Sequence, residues 1–499
     1  MVLCVCVSVL CASTVAATET DSVDESGPMK CLRTPDSQFE NLPGYDFEPH
    51  YLYVDDPGRE PGNGFIRVHY TFSGPSDAPT LLLMHGNPSW SFLFREIVPI
   101  INAAGYRTVM FDYVGHGRSD KPTRVSDYSY DRHLEWIRQV FAQLDADPEL
   151  KLDRVTLMGH DYGHPFGMQL ITHHYPDRFD GLINGNAGFN RGLRGLAQRH
   201  IRWRGFVREN PDVPIGAVIC RRGIPPCPPE VEAGYNAPYP GPEYKASIRA
   251  FPEMVPEDTT WPEAKANQIA WDHMTTSWTR PYMVIWENWD IPGRPSRRDE
   301  YITSIPGAYG SENPQFVTGH YSPEDNPEGV AAAVIRFLDD IYTPKAFRRV
   351  LFSSFLSGPD RFVCGGDSCS YDPLSEAIKI QRNDGEASSA IQRAAMDLSK
   401  AVELKVAFRF LPDGMDAGEK LLVELWDGSK WAIILTMARG EEIGAGDFAN
   451  GATDYGYARI GRDSVNFAPD AKIRIRCETE TDDGAIYLKD VGIYVRESR

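Results

Sequence analysis

One segment constrains this chain more than any other: the largely apolar run Val155 to Met158, followed at once by Gly159-His160-Asp161-Tyr162-Gly163. A short apolar run bounded by glycine reads as a buried strand. Two glycines around a central polar residue allow a turn sharp enough to lift that side chain above a sheet and to enter a helix directly. An isolated turn would have the same glycines, but the strand before it and the apolar helical pattern after it favour strand, turn and helix. The runs Thr80 to Met84 and Arg107 to Phe111 also end in Gly-containing turns, and helix-like stretches separate all three. Such alternation predicts a largely parallel α/β sheet, whose site is built by loops leaving the carboxyl ends of the strands.

From about Phe189 to Thr279 the texture changes to Trp-, Arg- and Pro-rich segments with broken helical periodicity, as expected of an inserted helical cap. The strand pattern resumes at Tyr282 to Trp286 and again at Gln315 to Thr318, which leads to His320. Pro327 to Ile341 then places Val330, Val334, Phe337, Leu338 and Ile341 at helical spacing. At 499 residues the chain exceeds what one core organises. The first domain is expected over residues 28–344 with its cap near 189–279, and a second over 345–499. In the second, Leu404 to Phe410, Lys420 to Trp426, Trp431 to Met437, Ala471 to Glu478 and Ala485 to Val495 alternate with Gly and Asp turns, which predicts an antiparallel all-β sandwich. No catalytic constellation stands out there.

Val2 to Ala17 is an apolar stretch too short to span a bilayer, ending in Val15-Ala16-Ala17 before polar residues, so residues 1–17 read as a cleavable signal peptide and the chain as secreted. No later stretch has the length of a membrane span. Removing the signal takes Cys4, Cys6 and Cys11 and leaves Cys31, Cys220, Cys227, Cys364, Cys369 and Cys477, enough for three disulfides in several possible pairings. Cys369 with Cys477 across the sandwich is one of these. A zinc site would need a second ligand pair beside Cys364 and Cys369, and none has matching spacing. The net charge of −19 disfavours nucleic acid and anionic membranes as partners.

At the turn, the central residue is an aspartate. A carboxylate there can attack an sp3 carbon or an epoxide to give an ester, which an activated water must then hydrolyse. His320, in Thr318-Gly319-His320-Tyr321 after the last strand, is the candidate general base. Asp290, after the preceding strand in Trp286-Glu287-Asn288-Trp289-Asp290, is the candidate that orients it, with Glu287 as a nearby rival. His85-Gly86-Asn87-Pro88 follows the strand Thr80 to Met84, where backbone N–H groups can form an oxyanion hole with the N–H of Tyr162. The Asn87 amide can also donate to a leaving anion.

Together these segments resemble the haloalkane dehalogenases over about residues 31 to 341. The resemblance rests on Cys31-Leu32-Arg33-Thr34-Pro35-Asp36, on Asn41-Leu42-Pro43-Gly44-Tyr45, on His85 to Arg95, and on Gly115-His116-Gly117-Arg118-Ser119-Asp120-Lys121-Pro122. It continues through Tyr235-Asn236-Ala237-Pro238-Tyr239-Pro240, Arg249-Ala250-Phe251-Pro252 and Glu324-Asp325-Asn326-Pro327-Glu328. It implies an α/β-hydrolase sheet with a helical cap, Asp161 displacing halide from a small halogenated substrate, His320 activating water, Asp290 supporting His320, and Asn87 holding the halide. No metal and no cofactor are implied. Three positions depart from the family pattern. Tyr162 stands where these enzymes usually carry a halide-binding Trp, Cys220-Arg221-Arg222-Gly223 offers no second Trp, so that Trp278 or Trp261 becomes the substitute, and His164 replaces a small glycine. The tail resembles sandwich modules of secreted proteins, which suggests a glycan or surface ligand, or a spacer role. Two rival functions follow: an epoxide hydrolase with donors from Tyr235, Tyr239 or Tyr244, and a secreted binding protein that has lost turnover.

Overall fold

The computed structural model describes residues 29–56, 66–150, 152–221, 226–287, 296–343, 347–356, 358–366, 368–383, 386–387, 389–440, 448, 450–451, 453–479 and 484–497. The signal-peptide segment 1–17 and Asp290 lie outside them. The central sheet has eight strands: β1 (His50–Val54), β2 (Ile66–Ser73), β3 (Thr80–Met84), β4 (Arg107–Phe111), β5 (Val155–His160), β6 (Gly181–Gly185), β7 (Tyr282–Glu287) and β8 (Gln315–Phe316). Their order is β8-β7-β6-β5-β3-β4-β2-β1. Strands β3 to β8 run parallel where they pair, while β2 is antiparallel to both β1 and β4. The middle strands are buried along their whole length. This explains why they read as continuous apolar runs instead of alternating ones.

Between β6 and β7 the chain leaves the sheet and forms the helices Gln198–Glu209, Ile215–Cys220, Pro229–Asn236, Ala246–Ala250 and Pro262–Thr276, the expected cap. Strand β5 runs two residues beyond the expected Met158, because Gly159 and His160 still pair with Asn184 and Gly185. Strand β8 is shorter than expected, pairing only at Gln315 and Phe316 with Trp286 and Glu287. The helix Pro327–Tyr342 packs Val330, Val334, Phe337 and Leu338 into the core beneath the sheet.

The C-terminal region is a sandwich of two antiparallel sheets. One joins Cys369–Asp372, Ala377–Asn383, Ala485–Glu497, Ala401–Asp413 and Asp454–Gly461 in that order, and Arg348–Ser353 also pairs with Ala485–Glu497. The other joins Phe362–Gly365, Ser389–Gln392, Ile473–Glu478, Lys420–Trp426 and Trp431–Ala438. Alternate residues such as Leu421, Val423 and Leu425 face Ile473 and Ile475 in a core of their own.

Among the described residues two disulfides are present, Cys220–Cys227 in the cap and Cys364–Cys369 in the sandwich. Cys369 therefore does not pair with Cys477, whose thiol is buried. The reason is proximity: Cys364 lies next to the end of the strand Phe362–Gly365 and Cys369 begins the next strand, five residues on, with their Cα atoms 5.2 Å apart, while Cys477 is buried in the strand Ile473–Glu478. Among the described residues, no helix is long and apolar enough to cross a membrane.

Candidate active site

The turn between β5 and the helix Gly163–His174 holds Asp161 at φ 50°, a left-handed conformation that costs a non-glycine residue on the order of 1–3 kcal/mol. The glycines beside it let the turn pack this closely. A Cβ on Gly163 would lie 2.1 Å from the Met84 carbonyl oxygen, and one on Gly159 would lie 2.3 Å from the Gly163 carbonyl carbon. The helix can begin directly against β3 only because both positions are glycine. A Cβ on Gly86 would lie 2.3 Å from the Asp161 Cβ, so the loop after β3 also needs glycine to approach the carboxylate.

That approach brings the Asn87 backbone N–H to Asp161 Oδ1 at 3.0 Å, and the backbone of Tyr162 helps to hold the carboxylate below its ordinary value. On its other side, Asp161 Oδ2 lies 3.4 Å from His320 Nε2. The two carboxylate oxygens thus differ. Oδ1 faces a backbone donor of the oxyanion-hole type, and Oδ2 faces the imidazole.

His320 sits just beyond β8. Its Nδ1 is 3.5 Å from Glu287 Oε1 at the end of β7, and 2.9 Å from the side-chain nitrogen of Asn186, which follows β6 at φ 57°. Its carbonyl oxygen is 2.8 Å from His160 Nε2, and Gly319 N donates to Asp325 at 2.6 Å. Three strand ends therefore converge on one ring. Glu287, the rival at the sequence level, is the carboxylate the structure brings to His320. Asn186 was not foreseen, and its signal was only a polar residue directly after the run Gly181 to Gly185. His116 is a second unforeseen partner: its Nε2 is 3.2 Å from Asn87 Oδ1 and so fixes the orientation of that amide.

The electrostatics follow from this crowding. Burial works against a charged His320, but hydrogen bonds and charge from Asp161 and Glu287 outweigh it and push the imidazole up to about 10. For Asp161, burial favours the neutral acid, yet the hydrogen bond and charge of His320 hold it below its ordinary value. The resting site is an ion pair in which Asp161 is ionised and His320 protonated. His116, by contrast, is kept neutral by burial.

A cavity of about 130 Å³ opens beside Asp161, lined by Tyr162, Pro165, Leu196, His200, Met254 and Val255 among others. Among the described residues no tryptophan lines it. Trp278 is instead buried in the core beside Arg280, and Trp261 precedes the helix Pro262–Thr276. The Tyr162 phenol, standing where the family usually carries a halide-binding Trp, donates to the Phe251 carbonyl at 2.6 Å. A phenol has one O–H, so Tyr162 reaches the site through its backbone. His164 is buried against Tyr282, whose hydroxyl is 2.8 Å from its Nε2, and burial alone drives it down to about 3. It packs, and does not face Asp161. Among the described residues, no group of three or more His, Cys, Asp and Glu side chains is placed to hold a metal ion.

The sheet order, the strained aspartate and the histidine after the last strand define an α/β hydrolase. The alpha/beta hydrolase fold family matches residues 79–212. The haloalkane dehalogenase of Psychrobacter cryohalolentis is 38% identical over 314 residues, covering 62% of this chain and 99% of the relative. That of Mycobacterium marinum is 38% identical over 313 residues, again covering 62% and 99%. The tetrameric haloalkane dehalogenase DpaA from Paraglaciecola agarilytica NO2 matches with a TM-score of 0.55 at 26% identity, over 63% of this chain and 100% of its own. The chain belongs to the haloalkane dehalogenase family.

Loss of the negative charge on Asp161 must lower the pKa of His320, since Asp161 is one of the two carboxylates that raise it. We predict that hydrolysis of an ester formed on Asp161, followed in a single turnover against pH, rises through a midpoint below that of His320 in the free protein, titrated by NMR. A midpoint at or above the free-protein value would contradict the ion-pair assignment.

Proposed function

We propose that this protein cleaves the carbon–halogen bond of small haloalkanes by hydrolysis through an ester of Asp161. The observation that carries the reading is the division of labour at the carboxylate. With Oδ1 held by the Asn87 N–H and Oδ2 left beside His320, Oδ2 is the attacking oxygen. Its lone pair forms a bond to the halogenated carbon as the carbon–halogen bond breaks, and the halide leaves with that electron pair. The Asn87 amide, oriented by His116, donates to the departing ion.

Alkylation removes the charge of Asp161, and His320 gives up its proton more readily. Neutral His320 then takes a proton from water through Nε2, and the hydroxide adds to the Asp161 carbonyl carbon. The oxyanion on Oδ1 meets the N–H groups of Asn87 and Tyr162. Collapse expels the alkoxide, which takes the proton from His320 to become the alcohol, and the Asp161 carboxylic acid passes its own proton back to His320, which restores the ion pair; the proton that His320 first released to solvent accompanies the halide. Glu287, accepting from Nδ1–H, holds the ring so that Nε2 stays on the water, while the Asn186 amide donates to the His320 carbonyl. Asp290, three residues on in the sequence, is the family-like candidate for the same supporting role, and Glu287 is, among the described residues, the second carboxylate beside His320.

The tyrosines an epoxide would require are engaged or placed elsewhere. Tyr235 donates to Glu324 at 2.6 Å, and neither Tyr239 nor Tyr244 lines the cavity. Incubation with 1,2-dibromoethane and with styrene oxide separates the readings: bromide release without diol is expected, and diol without bromide would overturn the proposal. Neither product from either substrate would favour a binding protein.

We further propose that the protein is exported. The apolar leader and the two disulfides support this, since disulfides persist in oxidising compartments. Protein recovered from the culture medium should begin shortly after Ala17, and an intact Met1 on protein retained inside the cell would contradict export.

A further inference from the structure

The C-terminal sandwich is seated against the hydrolase through a built interface. Tyr309, in the segment between β7 and β8, inserts its ring over Gly492, where a Cβ would lie 2.7 Å from Tyr309 Cε1. Its hydroxyl donates to Asp490 at 2.7 Å and lies 3.1 Å from the Ala407 carbonyl. Asp490 is wholly buried and is also bound by the Arg409 backbone and guanidinium, so the phenol meets a carboxylate that is already fixed. The Tyr455 hydroxyl accepts from Gly310 N at 3.3 Å and donates to the Ser311 carbonyl at 3.1 Å. Ala407 and Tyr455 belong to the same apolar cluster as Tyr282 and Trp286 of β7.

The gripped turn passes directly to the site. Asn313 Oδ1 accepts from Val284 N at 2.9 Å, and its side-chain nitrogen donates to the carbonyls of Ala308 and Ser311 at 3.0 and 3.1 Å. Pro314 O accepts from Trp286 N at 3.0 Å, and Phe316 pairs with Glu287. Four residues after Phe316 comes His320. Downstream, Asp340 on the helix after His320 pairs with Lys405 and Arg459 of the sandwich, and Arg336 of that helix closes on Glu312 at 2.6 Å. The stretch that carries His320 is therefore anchored to the sandwich on both sides.

We propose that the sandwich is a positioning module of the hydrolase: by clamping Tyr309 to Ser311 it fixes the ends of β7 and β8, from which Glu287 and His320 meet Asp161. This rests on the reading of His320 as the base. Tyr309 and Tyr455 touch no reacting atom and act through the register of β8 alone. A misplacement of the base by a fraction of an ångström slows ester hydrolysis more than it weakens substrate binding.

The test compares the full chain with Tyr309→Phe and Tyr455→Phe, using 1,2-dibromoethane and hydrogen exchange of the peptide spanning 314–321. Leu421→Ala, in the sandwich core away from the seam, controls for stability alone. We expect kcat to fall roughly 5- to 50-fold in the two tyrosine variants, with KM changed by much less, alkyl-enzyme accumulating, and exchange at 314–321 faster. Leu421→Ala should melt lower with kcat unchanged below its transition. Tyrosine variants that melt lower yet keep the wild-type kcat and exchange would overturn the proposal. Failure of the underlying reading is distinct: His320→Phe would then trap no alkyl adduct on Asp161, whatever the seam variants do to exchange.

Discussion

Everything at the site depends on backbone contact between the loop after β3 and the turn after β5. With Gly163 against the Met84 carbonyl and Gly86 against the Asp161 side chain, the turn packs closely, and the strain of φ 50° is held in place by the sheet on either side. The same contact delivers the Asn87 N–H to Oδ1. A larger residue at any of these glycines would separate β3 from the helix and remove the donor and the carboxylate together. Rigidity here is structural, since the donor is backbone and no side-chain freedom is lost in aiming it.

The second dependence is electrostatic. Burial works against the charged form of Asp161, and the hydrogen bond and charge of His320 offset it. Glu287 helps to keep the imidazole charged in turn. In the proposed reaction, once Asp161 is an ester, one of the two carboxylates that hold the proton on His320 is neutral, so that one histidine would serve first as counter-ion and then as base.

Much of this was legible in the sequence because the relevant signals are local. The elbow at Gly159 to Gly163 is a five-residue pattern, and buried parallel strands such as Thr80 to Met84 announce themselves as unbroken apolar runs. Asp161, Asn87 and His320 came together as their positions after strands suggested. What was hidden depends on distant packing. Tyr162 stands where the family usually carries a halide-binding Trp, and only the folded cap places the Phe251 carbonyl over its hydroxyl. Asn186 and His116 acquire their partners only when strand ends converge. In the sandwich, Ala377–Asn383 and Asp454–Gly461 escaped notice because half-exposed strands carry Lys, Gln, Arg and Gly between their inward residues. The choice of Cys364–Cys369 over Cys369–Cys477 follows from which strands adjoin, which spacing does not encode.

The central claim is that water attacks an ester of Asp161 at its carbonyl carbon, not the substrate itself. A single turnover of 1,2-dibromoethane in water enriched in oxygen-18, with protein in excess, distinguishes the two. If the account is right, the label appears in the Asp161 carboxylate and the first-turnover alcohol is unlabelled. Label in that alcohol, with none in the peptide containing Asp161, would contradict it.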